Sequence, residues 1–149
     1  MILVFDSSAL IALLADEDGA NQVEALLRSA SDEGEGFVFF AHAVNLAEVY
    51  WHVLARYDHA TAEAAIQTLA SAGIQERGDL DGVFWRDVAA LVVKSRQMPK
   101  PTSGRGNLAM GDAFGIALSN RLGADFVTSD RTEIEPLEGA GMVSAHFIR

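Results

Sequence analysis

The sequence predicts an α/β fold on a mainly parallel sheet, a single domain over residues 1–149. Three observations carry that reading. Short apolar runs of strand length alternate with longer segments of helical spacing. No two strand candidates are joined by a tight hairpin signal, so the crossovers between them are helical. And two strand candidates run into an aspartate at their carboxyl ends, where open parallel sheets bind ligands.

In chain order, Ile2–Phe5 is a continuous apolar run, long enough for a buried strand and too short for a helix. It ends at Asp6, and Ser7 and Ser8 lead into the helical stretch Ala9–Ala15, which Asp16-Glu17-Asp18-Gly19 breaks. Asn21–Ala30 is helical, with Val23, Leu26 and Leu27 on one face. Ser31–Gly36 is a turn and Phe37–Phe40 a second strand. Ala43–Tyr57 and Thr61–Ala72 are helices, and Ile74-Gln75 is a short strand. Asp81–Arg96 is a long helix whose apolar set is Phe84, Trp85, Val88, Leu91 and Val92. The stretch from Pro99 to Gly106 holds two prolines and two glycines and reads as a loop. Gly111–Leu122 is a helix, Phe126–Thr128 a strand, and Met142–Phe147 the last strand. A short helix is possible after Asp130.

Composition narrows the function. Half of the 149 residues are hydrophobic, which excludes a disordered chain. No apolar stretch approaches the roughly 20 residues needed to span a bilayer, and no basic region precedes the first apolar run, so neither a membrane anchor nor a signal peptide is expected. The absence of cysteine excludes disulfides, zinc-thiolate sites and cysteine nucleophiles, in keeping with a soluble cytoplasmic protein. The net charge of −10 argues against a nucleic-acid partner. Two features offset it. Two divalent cations on four carboxylates would bring the charge to about −6. In addition, Val88–Gly111 has no acidic residue and carries Lys94, Arg96, Lys100 and Arg105, either a solvated basic loop or a phosphate-contacting strip.

Four carboxylates stand out. Asp6 and Asp130 follow strand candidates, and each taken alone reads first as a helix N-cap. Glu48 lies in an apolar helix flanked by Val44, Leu46, Val49, Tyr50, Trp51 and Val53. A helix of that composition is expected to be mostly buried, and a buried carboxylate needs a metal, a basic partner or a shifted pKa. Asn45, three residues earlier, shares its face. Asp112 opens a helix of small and apolar residues, where a carboxylate also suits a cap. Converging at one sheet edge, four acids repel one another without cations, and oxygen-only ligands suit Mg²⁺ or Mn²⁺.

These residues resemble the motifs of PIN-domain proteins, particularly the VapC-type toxins of bacterial toxin–antitoxin pairs. Val4 to Leu14 resembles the family's opening, Asn45-Leu46-Ala47-Glu48-Val49 its second acidic motif, Asp112-Ala113 its third and Gly123 to Asp130 its fourth. The resemblance covers nearly the whole chain. It implies a PIN-like sandwich and an endoribonuclease using one or two Mg²⁺ or Mn²⁺ ions, with Asp6, Glu48, Asp112 and Asp130 as the catalytic, metal-binding quartet. Ser8 and Thr128 match the family's hydroxyls near the metal. The implied partners are RNA, a cognate antitoxin and a second copy of the chain. The chain departs from the family in its acidity and in the Pro/Gly-rich insertion before Asp112.

Two other readings compete. A haloacid-dehalogenase-type phosphatase would place a second aspartate two residues after the first, where this chain has Ser8, and a response-regulator receiver would want paired acids and a late lysine. A non-catalytic PIN-like interaction module would be marked by loss of one or more acids, and all four are present. The aromatic residues Phe37, Phe39, Phe40, Tyr50, Trp51 and Trp85 serve the core or a partner groove. His42, His52, His59 and His146 are scattered and read as structural or exposed.

Overall fold

A computed structural model describes residues 1–32, 36–99 and 107–149. The chain runs β1 (Ile2–Phe5), α1 (Ser7–Ala15), α2 (Ala20–Asp32), β2 (Val38–His42), α3 (Ala43–Leu54), α4 (His59–Ser71) and β3 (Ile74–Arg77). It continues through α5 (Gly82–Gln97), α6 (Met110–Leu122), β4 (Asp125–Thr128), α7 (Arg131–Gly139) and β5 (Ala145–Phe147). The five strands form one sheet in the order β3-β2-β1-β4-β5, and every pairing is parallel. The mainly parallel sheet expected from the sequence is thus wholly parallel.

Parallel strands are covered on both faces, which is why these run apolar throughout. Side chains alternate across the sheet. Val4 and Phe126 join a core with Phe84, Val88 and Leu91 of α5, Ile116 and Leu118 of α6, and Ile134 and Leu137 of α7. Leu3, Phe5 and Val127 join the opposite core with Leu10 of α1, Val23 of α2, Val49 of α3 and Leu69 of α4. Each large side chain buried this way contributes about 1.5–3 kcal/mol. Strand order reverses direction between β1 and β4, a switch point of the kind where α/β sheets bind ligands.

Several sequence expectations change. The expected Phe37–Phe40 strand becomes Val38–His42, and the last strand shortens to Ala145–Phe147. The nine-residue α7 is longer than anything the sequence suggested, because Pro136 inside it lacks the N–H that continues a helix. It forms because Asp130 caps its start and Ile134 and Leu137 are buried. The expected burial of the Glu48 helix is also corrected. Only Asn45 and Val49 of α3 are buried, and Trp51 is 68% exposed, because α3 is an outer-layer helix with one face inward. Trp85 is 46% exposed, so neither tryptophan is needed to fill the core. Lys100 and Arg105 lie outside the described residues, while Lys94 and Arg96 are exposed on the last turn of α5.

Candidate metal centre

The site begins with the hydrogen bonds that open α1. Asp6 follows β1, is fully buried, and its Oδ1 accepts the Ala9 N–H at 2.7 Å as the N-cap of α1. Ser8 Oγ lies 2.8 and 2.9 Å from its two carboxylate oxygens, and Thr128 Oγ1 donates to Oδ2 at 2.5 Å. Three protein donors therefore hold a carboxylate that has about four lone-pair sites. The two hydroxyls also tie β1 to β4. Ser8 Oγ accepts the Ser129 N–H at 3.0 Å, and Thr128 Oγ1 accepts the Asp130 N–H at 3.0 Å. Burial pushes the Asp6 carboxyl up to about 6, against the lowering effect of Thr128, Ala9 and Ser8.

Asp130 caps α7 by accepting the Glu133 N–H at 3.1 Å. So at both strand ends the cap and the site are the same residue, and the two readings do not exclude each other. Asp112 differs. The N-cap position of α6 is Ala109, which makes no side-chain cap bond, and Asp112 is the third residue of the helix rather than its cap. Its carboxyl is pushed up to about 8, first by burial and then by the charges of Asp6, Glu133, Glu48 and Asp130. The charges of Asp6, Glu48 and Asp130 are thus all felt at Asp112.

Among the described residues, one set of carboxylates brings single oxygens within 4.8 Å of one another: Asp112, Asp130 and Glu133. Glu133 escaped the sequence reading. Its signal was present as Asp130-x-x-Glu133, a capping-box spacing. In a reciprocal box Glu133 would accept the Asp130 N–H, but Thr128 takes that donor, and Glu133 Oε2 instead accepts the Ala109 N–H at 3.3 Å. The long step from α7 to the start of α6 is invisible in sequence.

Glu48 enters from α3. It is half-buried, and Asn45 Nδ2 lies 3.4 Å from its Oε2 while donating to the Gly111 carbonyl at 3.1 Å. The expectation that Asn45 shares the Glu48 face is met. His42 is buried, caps α3 through Nδ1, and places Nε2 2.9 Å from the Asp79 carbonyl, so it is structural. Of the two exposed basic residues of α5, Lys94 lines a groove of about 520 Å³ with Asp87, Asn120 and Arg121, beside the C-terminal half of α6.

The donors fit a hard cation. They are carboxylate oxygens, close enough to share an ion, and they repel one another without one. A phosphatase with a second aspartate two residues after Asp6 is not favoured, because Ser8 occupies that place and serves the Asp6 carboxylate.

A family model described as "PIN domain" matches residues 3–135. Among solved structures, VapBC-1 from nontypeable Haemophilus influenzae aligns at a TM-score of 0.68 and 13% identity, over 99% of this chain and 98% of that one. VapC20 of Mycobacterium tuberculosis, described as a sarcin-ricin loop cleaving toxin, aligns at 0.67 and 17% identity over 95% and 96%. VapBC-5 of the same organism aligns at 0.61 and 23% identity over 98% of each chain. At these identities the likeness is one of fold. No curated protein matches the chain.

Proposed function

The chain belongs to the PIN domain family, and from that premise we propose that it is a divalent-metal-dependent endoribonuclease, the toxin of a toxin–antitoxin pair acting in the cytoplasm. The observation that carries this reading is the convergence of Asp112, Asp130 and Glu133 oxygens within 4.8 Å, beside Asp6, at the switch point of the sheet. Asp6, Glu48, Asp112 and Asp130 would hold one or two Mg²⁺ or Mn²⁺ ions, with Glu133 as a fifth carboxylate at the same place. When bound, such an ion makes water a nucleophile at neutral pH and stabilises the charge that develops on a phosphodiester.

The chain's own groups set the frame for that chemistry. Ser8 and Thr128 commit their hydroxyl protons to Asp6, so they orient a carboxylate rather than attack. No histidine serves the site: His42 is used in a cap and a stack on Phe84. The remaining nucleophile is water, and in-line hydrolysis of RNA at the mouth of β1 and β4 is the reaction that suits the arrangement. Lys94 and Arg96, exposed on the last turn of α5, are phosphate contacts in this reading.

Likeness to VapBC complexes, one of them from Rickettsia felis bound to a fragment of promoter DNA, supports a cognate antitoxin as partner, and in this reading the chain also pairs with a second copy of itself. No described helix is long and apolar enough to cross a membrane.

The test is cleavage of a mixed structured RNA pool by purified, metal-loaded protein, against EDTA and an Asp112→Asn control. Metal-dependent cutting lost in the variant is the expected result. Equal Mn²⁺ binding by wild type and variant, with no cutting by either, would sink the reading and favour an interaction module.

A further inference from the structure

Glu48 is the one carboxylate of the expected quartet that stands on α3, across a helix contact from Asp112, and the contact leaves room for it. Gly111 and Gly115 lie four apart on α6 and so share a face. A Cβ on Gly111 would overlap the Glu48 carboxylate, and one on Gly115 would press into the Phe126 ring and come within 3.1 Å of Asn45 Oδ1. Into this gap α3 inserts Asn45, fully buried, with Nδ2 on the Gly111 carbonyl and on Glu48 Oε2.

Two facts argue that the amide is there for more than packing. Asn45 Oδ1 is buried without a hydrogen-bond partner among the described residues, a cost that a leucine of similar shape would avoid. And the half-buried Glu48 carboxylate sits where a Cβ on Gly111 would lie, so a glutamate left to itself would swing from that gap toward water. Something must hold it inward.

We propose that Asn45, seated against Gly111 and Gly115, is a positioning residue that holds the Glu48 carboxylate beside Asp112 and thereby sets the affinity of the site for a divalent cation. This rests on the reading that these carboxylates hold such an ion. In this role Asn45, fully buried, is not itself a ligand of the ion. It acts as outer-shell partners of metal ligands do, whose loss typically lowers affinity 10- to 100-fold.

Two variants test it by opposite routes. Asn45→Leu removes the donor and the unpaired acceptor while keeping the branched outline of the side chain. Gly111→Ala leaves Asn45 in place and displaces only the mobile end of Glu48, while alanine is the better helix former. Calorimetric titration of the metal-free proteins with MnCl₂ is the primary readout, with Tm in EDTA beside it. Each variant is expected to keep or raise the wild-type Tm yet bind Mn²⁺ about 10-fold more weakly. The double variant should lose little more than either single, because both act on one carboxylate. Wild-type affinity in Gly111→Ala overturns the proposal even if Asn45→Leu folds poorly, since that variant displaces Glu48 without touching the amide. Fully additive losses also overturn it. If wild type and Asp112→Asn bind Mn²⁺ alike, the metal reading itself fails and takes the proposal with it. Tight binding by wild type with unchanged variants overturns the proposal alone.

Discussion

Two acidic clusters of this molecule are held in opposite ways. In the turn between β3 and α5, Asp79 and Asp81 face arginines. Arg77 Nε lies 2.9 Å from Asp79, and Arg121 reaches Asp79 at 2.9 Å and Asp81 at 2.6 Å. Arg77 and Arg121 also lie over the rings of Phe40 and Phe84. Hydrogen bonds from these guanidinium groups hold Asp79 below the usual carboxylate range through Arg77 first, and Asp81 well below it through Arg121. At the switch point, Asp112 meets burial and four other carboxylates, and its proton is held up to about 8. The same residue type thus serves two ends. Where the chain supplies the counter-charge, the acids tie elements together. Where it withholds the counter-charge, the acids store a repulsion that a cation would relieve.

The largest test of that contrast replaces one acid from each cluster. Asp112→Asn should lower RNA cleavage on the order of 100-fold or more, the scale on which one preorganised electrostatic group acts. It should also stabilise the metal-free protein, because folding at neutral pH no longer forces that carboxyl to take up a proton; a gain of about 1 kcal/mol would show as roughly 2–4 °C in Tm. Asp81→Asn should leave Mn²⁺ affinity and cleavage at wild-type levels while lowering Tm. If Asp112→Asn lowers the metal-free Tm instead, the carboxylate is structural and the contrast breaks.

A second test is pH. Asp112 and Asp6 keep protons in the folded chain up to about 8 and about 6, against 3.8 as the ordinary value. Between these limits the folded state binds more protons than the unfolded one, so this cluster makes stability fall as pH rises from about 4 to 8. The arginine-paired cluster has the opposite sign: lowered carboxylates stabilise above about 4, and that contribution is lost on acidification. Thermal melts in EDTA should therefore weaken from pH 5 to 8, with saturating Mn²⁺ reversing the loss more strongly at pH 8 than at pH 5. A flat metal-free profile, matched by Asp112→Asn, would show that the crowding of the acids is not felt.

The smallest expected effect concerns Glu133. Its oxygens approach Asp112 and Asp130 but also serve the Ala109 N–H, so it divides its role between site and helix start. Glu133→Gln keeps a hydrogen-bond acceptor and removes the charge. It should weaken Mn²⁺ binding several-fold, toward the low end of the 10- to 100-fold range for supporting groups. Calorimetry showing a loss as large as that of Asp112→Asn would make Glu133 a principal ligand.

Much of this was legible in the chain. The run Ile2–Phe5 ending at Asp6, and Phe126-Val127-Thr128 leading to Asp130, gave two strand ends and two acids, because a buried parallel strand must be continuously apolar and its exit must be polar. The helices were legible to within a few residues at their ends, where N-caps such as Asp58 and Asp81 start them. Of the expected quartet, Asp112 and Asp130 bring oxygens within 4.8 Å of one another, together with Glu133, which the sequence reading did not single out. A short helix after Asp130 was legible but the nine-residue length of α7 was not, because Pro136 masks a helix that the core and the Asp130 cap hold in place. Nor was the exposure of Trp51: apolar residues around Glu48 suggest burial, but which face of an outer helix turns inward depends on its neighbours.

The sequence by itself determined the order of strands and helices, the all-oxygen character of the chemistry and the residues able to supply it, since apolar period and residue type are local properties. Tertiary structure alone decided the rest. It brought Glu133 to the start of α6, seated Glu48 over Gly111 through Asn45, and gave Arg121 to Asp79 and Asp81 rather than to the switch point. Those outcomes turn on which distant segments share a few ångströms of space, and electrostatics at that range depends on position far more than on composition.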